Sequence, residues 1–250
     1  MPTDPAFYLA AIPAVILIGL AKGGFSGLAA LGVPIMALGV DPVRGAAILL
    51  PILIVQDVIG VAAFRKSWDA GILRVMLPSA IIGVGLGWLF AASVSANAVL
   101  LAVGAIALLF GLYRLWVERG GRIAVARNSP AWVGSLFGIA TGFTSQIALA
   151  GGPPYQMWVM PRGLPRDVFV GTTAIFFAVL NWIKVPAYLA LGQFTAANLI
   201  ATAILLPLAI LSSLAGVWLV RRVPVERFYR IIYALMVVTG VKLLWNGAGL

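Results

Sequence analysis

The chain has 250 residues, 62% of them apolar and only 10% charged, with a net charge of +10 and a mean hydropathy of +1.08. A soluble domain carries roughly 25% charged residues, so this composition excludes one. Cysteine and histidine are absent, which removes disulfides, thiol chemistry, histidine proton relays and the usual zinc, haem and iron–sulfur ligand sets. No metal or cofactor is expected.

Apolar runs of about 20 residues, in place of alternating ten-residue strands, predict an all-α polytopic membrane protein. The opening MPTDPAFYLA has no basic region ahead of its apolar run, so a cleaved signal peptide is not expected. In chain order, residues 6–21 and 25–39 are short apolar segments joined at Lys22-Gly23-Gly24. Each would cover roughly 20–24 Å, less than the ~30 Å hydrocarbon core, which predicts a broken or re-entrant hairpin. Asp41-Pro42 ends it. Full-length spans follow at 45–64, 71–91 and 97–117, joined by RKSWD and the uncharged SVSAN. Residues 118–130, ERGGRIAVARNSP, form a Gly-rich basic linker. The plan then repeats with a broken segment at 131–160, a PRGLPRD loop, and spans at 168–190, 195–220 and 226–247.

The repetition is visible residue by residue. An offset of 119 pairs Gly19 with Gly138, Gly23 with Gly142, Gly32 with Gly151 and Pro34 with Pro153, and places Lys22 opposite Thr141. An offset of 129 pairs Pro78 with Pro207, Gly87 with Gly216, Gly111 with Gly240 and Trp116 with Trp245. We therefore expect one transmembrane domain built of repeat one (6–117), the linker (118–130) and repeat two (131–247).

Charge sets the orientation. With the linker in the cytoplasm, the inside set is Arg65, Lys66, Arg74, Arg114, Arg119, Arg122, Arg127, Arg162, Arg166, Arg221, Arg222, Arg227 and Arg230, which is 13 of 17 basic residues. This is the positive-inside pattern, and it accounts for the basic net charge without nucleic acid. Both termini are then extracytoplasmic, and the chain is a multi-pass cell-membrane protein. Span 45–64 runs inward while its counterpart 168–190 runs outward, so the repeats are expected to be inverted. Inverted repeats with discontinuous helices are a secondary-transporter architecture whose site lies between repeats near the midplane.

The candidate site follows from the residues that are costly at membrane depth. Lys22 stands where the first segment breaks, and a buried ammonium costs at least ~2.5 kcal/mol even on lenient insertion scales. It either attracts an anion, helped by the N–H groups of a helix starting near Phe25-Ser26, or snorkels to an interface. The adjacent pairs Gly23-Gly24 and Gly151-Gly152 are expected to supply the backbone breaks, with Pro153 and Pro154 forbidding a continuous second helix. Gly19, Gly23 and Gly27, like Gly134, Gly138 and Gly142, also follow a small-xxx-small packing spacing. Thr141, Thr144, Ser145 and Gln146 form a polar cluster suited to the oxygens of a tetrahedral anion or carboxylate, unless the hydroxyls bond back to helix carbonyls. Asp57 is either a proton-coupling carboxylate or the partner of Lys22 or Lys184, and loop alignment brings it near Asn181. Gln56 reads as polar lining. Tyr155 and Trp158 follow the second break as candidate ligand walls, while Trp88, Trp116, Trp182 and Trp245 belong to interfacial belts or packing.

At these stretches the chain resembles the TauE/SafE family of membrane anion transporters, whose members are often described as sulfite exporters. The features that carry the likeness are GLAKGGFSGLAALGVP followed by LGVDPVRGAA, and GIATGFTSQIALAGGPP followed by GTTAIFF and NWIKVPAYLALGQ. The resemblance implies export or exchange of small anions such as sulfite, thiosulfate and organosulfonates. It implies a substrate region at Lys22, Gly23, Gly24, Gly151, Gly152 and Pro153. This chain is less glycine-rich at the breaks than many members.

The leading expectation is a secondary transporter working by alternating access, with a small anion as substrate, the bilayer as its environment, and protons as a possible coupling ion. A passive anion channel would need a continuous polar lining, for which few polar positions are available. No HExxH, no GxSxG and no intramembrane Asp pair argues for an enzyme, although a Ser–Lys dyad using Lys22 or Lys184 stays open. A non-transporting scaffold would have little need of Lys22 and Asp57.

Overall fold

The computed structural model describes residues 5–23, 26–91, 93–121, 128–220 and 226–249. Among the described residues there are ten α-helices and no strand. The first half comprises α1 (Pro5–Ala21), α2 (Ser26–Gly39), α3 (Pro42–Phe64), α4 (Ala70–Ala91) and α5 (Ala96–Glu118). The second comprises α6 (Ala131–Ala148), α7 (Gly152–Val159), α8 (Arg166–Ala190), α9 (Ala196–Val220) and α10 (Glu226–Gly247), with a 3-10 turn at Met160–Arg162. Helices α3, α4, α5, α8 and α9 are each long and apolar enough to cross a membrane. The chain is thus an all-helical polytopic membrane protein.

Local chemistry sets the helix ends. Asp41 accepts a hydrogen bond from the Arg44 N–H at 3.0 Å, and Pro42 occupies the first turn, so the dipeptide that closes α2 also starts α3. Ser95 caps α5 in the same way, accepting from Ala98 N–H at 3.2 Å. Helix α1 ends at Ala21 and α2 begins at Ser26, while α6 ends at Ala148 and α7 begins at Gly152.

The second break is made differently from the expectation. Leu149, not a glycine, takes the left-handed conformation (φ 50°), and the Leu149 and Ala150 N–H groups close on Ser145 O and Thr144 O at 3.1 Å each. Gly151 has an ordinary φ of −73°. Its lack of a side chain matters for packing, because a Cβ there would lie 2.8 Å from Thr141 O.

The halves interlock through small residues. Helix α1 packs on α9, and α6 packs on α4. A Cβ on Gly23 would lie 2.0 Å from the Gly216 backbone, and one on Gly142 only 1.9 Å from Ala80 O. Backbones this close are the means by which membrane helices associate without a hydrophobic drive. Helices α5 and α10 approach similarly, at Gly104, Gly111 and Gly240. Helix α3 lies against α8.

The loops fall into two groups. The Asp69 N–H donates to Thr172 Oγ1 at 2.9 Å, and Arg114 reaches Met160 Sδ at 3.6 Å, tying the basic connections around 65–69, 114–121 and 160–172 together. At the other end Arg44 Nε donates to Asn198 Oδ1 at 3.1 Å. Trp88, Trp116, Trp182 and Trp245 are all exposed, between 45% and 62%, so they face the surroundings of the bundle.

Candidate functional site

A cavity of about 100 Å³ lies between α1, α2, α5, the α6–α7 break and α8. Most of its wall is apolar. Its polar residues are Lys22, Ser145, Tyr155, Gln156, Thr173, Asn181 and Lys184, and Gly152 and Pro153 contribute at the second break. The residues from the two broken segments and from α8, remote in sequence, therefore meet around one space.

Helix periodicity explains the α8 side. Thr173, Phe177, Asn181 and Lys184 are spaced by four, four and three residues, which places them on one helix face. Thr173 donates to Phe169 O at 2.7 Å and lies 3.2 Å from the Tyr155 hydroxyl. Tyr155 is fully buried and packs its ring against Phe176 and Phe177. Thr173, Phe177 and Gln156 are not among the residues the sequence singles out, although the α8 spacing through Asn181 and Lys184 was available to find the first two.

Charge at the cavity is arranged asymmetrically. Lys22 forms an ion pair with Asp57, the only salt bridge among the described residues. The other Asp57 oxygen accepts from Asn181 Nδ2 at 2.6 Å. An ammonium and an amide both donating to Asp57 is the pattern of an ionised carboxylate. Lys184 is 1% exposed and has no salt-bridge partner among the described residues. Its ammonium donates to Ser145 Oγ at 3.0 Å. An ammonium carries three donors, so further donors remain for a ligand. With both lysines in their charged form, one carboxylate against two ammonium groups leaves this cluster with one excess positive charge.

The remaining candidates occupy other places. Thr141 is fully buried and donates back to Phe137 O at 2.7 Å, and Thr144 donates to Ala140 O at 2.7 Å, so both hydroxyls serve their own helix. Gly23 packs on Gly216, and Gly151 packs on Thr141 and Ser145. Gln146 faces a different cavity, on the other side of the α6 end. Gly24 lies outside the described residues, as does the side chain of Ser26. Gln56 is buried and donates weakly to Val15 O and Ala209 O, at 3.5 and 3.4 Å, tying α3 to α1 and α9. Trp158 is buried under Arg162, which stacks 3.4 Å over its ring, instead of lining the cavity.

The family model described as sulfite exporter TauE/SafE matches residues 11–243. No curated protein and no solved structure matches the chain.

Proposed function

The chain belongs to the sulfite exporter TauE/SafE family, and from that membership we propose that it is a secondary transporter, exporting small anions such as sulfite, thiosulfate or organosulfonates by alternating access. The observation that carries this reading is Lys184, buried on the cavity wall with no carboxylate partner among the described residues. An uncompensated buried charge costs several kcal/mol, and an anion entering the cavity relieves it. Ser145 orients Lys184 from the α6–α7 break, and Lys22, held by Asp57, borders the same space. In this scheme Lys184 anchors the anion and Lys22 supports it.

The two halves act as inverted repeats, residues 6–117 and 131–247, about the 118–130 linker. Reciprocal packing of α1 on α9 and of α6 on α4 supports this, as does the gathering of basic loops at one end. That end faces the cytoplasm of the cell membrane, and both termini lie outside. The mostly apolar wall speaks against a passive channel, which needs a continuous polar path.

The Ser145–Lys184 contact also has the geometry of a Ser–Lys dyad, in which the lysine would activate the serine. An acyl-transfer enzyme would also need donors for an oxyanion, and the nearby α7 start carries Pro153 and Pro154, which have no N–H. Transport is the better supported reading. The test is saturable flux of sulfite or a small sulfonate in proteoliposomes, for wild type and Lys184→Gln, with and without a pH gradient. Flux lost in the variant supports the anchor, and acceleration by the gradient adds proton coupling. Absence of flux for every anion would refute transport.

A further inference from the structure

A second chamber of about 60 Å³ lies where the ends of several helices meet at the arginine-poor end of the bundle. Val43 and Ala46 of the α3 start, Ala91 of the α4 end, Val99 of the α5 start and Tyr188 of the α8 end line it. So does Gln146. Its side chain is 3% exposed, and neither its amide nitrogen nor its amide oxygen has a hydrogen-bond partner among the described residues. A buried amide left in this state is costly, by about 1–3 kcal/mol per unmade bond. It is also held in place: a Cβ on Gly87 would lie 2.8 Å from Gln146 Cβ, so α4 presses directly on the stem.

The last turn of α6 divides this chamber from the Lys184 cavity. Ser145 and Leu149 line the large cavity, whereas Gln146 and Ile147 line the small one. Leu149, in its left-handed conformation, packs with Ala46, Leu50 and Tyr188 as the plug between them. Among the described residues, no charged one lines the chamber.

We propose that this chamber is a second station for the transported anion, with the Gln146 amide donating to the anion's oxygens. The inference rests on the transport reading for the identity of its ligand. A neutral amide binds an anion more weakly than the Lys184 ammonium does. Weak binding suits a station from which substrate must leave, since transport requires sites that release as well as capture. The anion would pass from Lys184 to Gln146 when Leu149 and Tyr188 separate.

The lack of cysteine gives a direct test. Ala91→Cys puts a single thiol on the chamber wall. In sealed vesicles its thiolate attacks the impermeant reagent 2-sulfonatoethyl methanethiosulfonate, forming a mixed disulfide and releasing methanesulfinate. Ethanesulfonate, which does not react with thiols, is the probe anion. It should slow labelling about tenfold at saturation. Adding Gln146→Leu should raise the concentration needed by about tenfold, equivalent to the loss of one hydrogen bond to a charged group. Adding Lys184→Gln should leave that concentration within about twofold, since the stations are separate. Gln146→Glu, of nearly the same shape, should abolish the slowing by repulsion, and it serves where Gln146→Leu fails to fold. Labelling that ethanesulfonate does not slow would mean the chamber holds water only. Slowing lost in Lys184→Gln would mean that the thiol reports occupancy of the large cavity. Either result overturns the proposal, as does slowing indifferent to both Gln146 variants. Ethanesulfonate flux through wild type in the same vesicles tests the transport reading independently, because protection without flux would keep the station and sink the transporter.

Discussion

The division of labour between the two intramembrane lysines is open to a charge-balance experiment. Lys184→Gln removes the one excess positive charge of the cavity and leaves Lys22 paired with Asp57. A hydrogen bond to a charged group is worth about 1.5–3 kcal/mol, so apparent anion affinity should fall about 10- to 150-fold. Lys22→Met acts differently. It leaves the Asp57 carboxylate buried with only the Asn181 amide at 2.6 Å, and stranding one member of a buried pair costs about 3–5 kcal/mol of stability. The double variant Lys22→Met with Asp57→Asn removes both charges and leaves the cavity with its one excess ammonium. Stability should recover, because replacing a whole buried pair is often neutral. Apparent affinity should stay within about threefold of wild type, less than 1 kcal/mol. Thermal unfolding in detergent and saturable uptake in proteoliposomes read the two effects separately. A double variant as impaired in uptake as Lys184→Gln, yet stable, would refute the scheme and place the substrate on Lys22.

Three further outcomes follow from the contacts. Ser145→Ala should weaken apparent affinity by about 5- to 10-fold through loss of the hydroxyl that orients Lys184, whereas Thr141→Val, whose hydroxyl bonds to Phe137 O, should leave uptake within about twofold. Gly142→Ala would place a Cβ 1.9 Å from Ala80 O and should lower stability by about 1–3 kcal/mol or more; Gly85→Ala, with nothing within 4 Å, is the matched control in the same melting assay. Arg162→Lys should cost about 1–2 kcal/mol in detergent melting, since Arg162 donates to Trp158 O at 2.9 Å and to Ser129 O at 3.2 Å while stacking on the Trp158 ring, a geometry that lysine does not reproduce.

The spans were legible in the sequence because length, hydropathy and caps act locally. Asp41-Pro42 and Ser95 fix the starts of α3 and α5 within a single turn, so the observed starts at Pro42 and Ala96 fall within three residues of the expected spans. The charged residues of the candidate site were legible for a related reason: Lys22, Asp57 and Lys184 stand alone in apolar surroundings, where charge is rare. Their pairing was not. Asp57 had two possible lysine partners, and which one it meets depends on how α3 lies against the first break, a non-local fact. The glycines were ambiguous in another way. A backbone break and a close helix approach both ask for a missing Cβ, so Gly151 read as a break residue although it serves the approach to Thr141, and the left-handed turn fell to Leu149. Thr141 and Thr144 illustrate a third limit, because a hydroxyl one turn past a carbonyl satisfies itself whichever way the ligand lies.

The polar contacts at the cavity also bear on how the halves would move. Lys22 pairs with Asp57 inside the first half, and Lys184 bonds Ser145 inside the second. Asn181 to Asp57 is the contact at the cavity that crosses between halves, and it joins α8 to α3, which lie side by side and are counterparts in the proposed repeat. Under inverted symmetry a contact between counterparts lies close to the pseudo-two-fold axis, where relative displacement during rocking is smallest. In the proposed cycle the Asp57–Asn181 bond would persist as a pivot, with Lys22 held beside it by Asp57. The broken segments are placed for the opposite part. Each packs its first helix on the other half, α1 on α9 and α6 on α4, and borders the cavity, so in the proposed cycle a shift along the α6–α4 seam would reach Ser145 and Lys184. In the proposed transport cycle, a charged pair that stays and an ammonium whose surroundings change would let the same cavity hold an anion in one state and release it in another, since a ligand shifts such an equilibrium only through its difference in affinity for the two states.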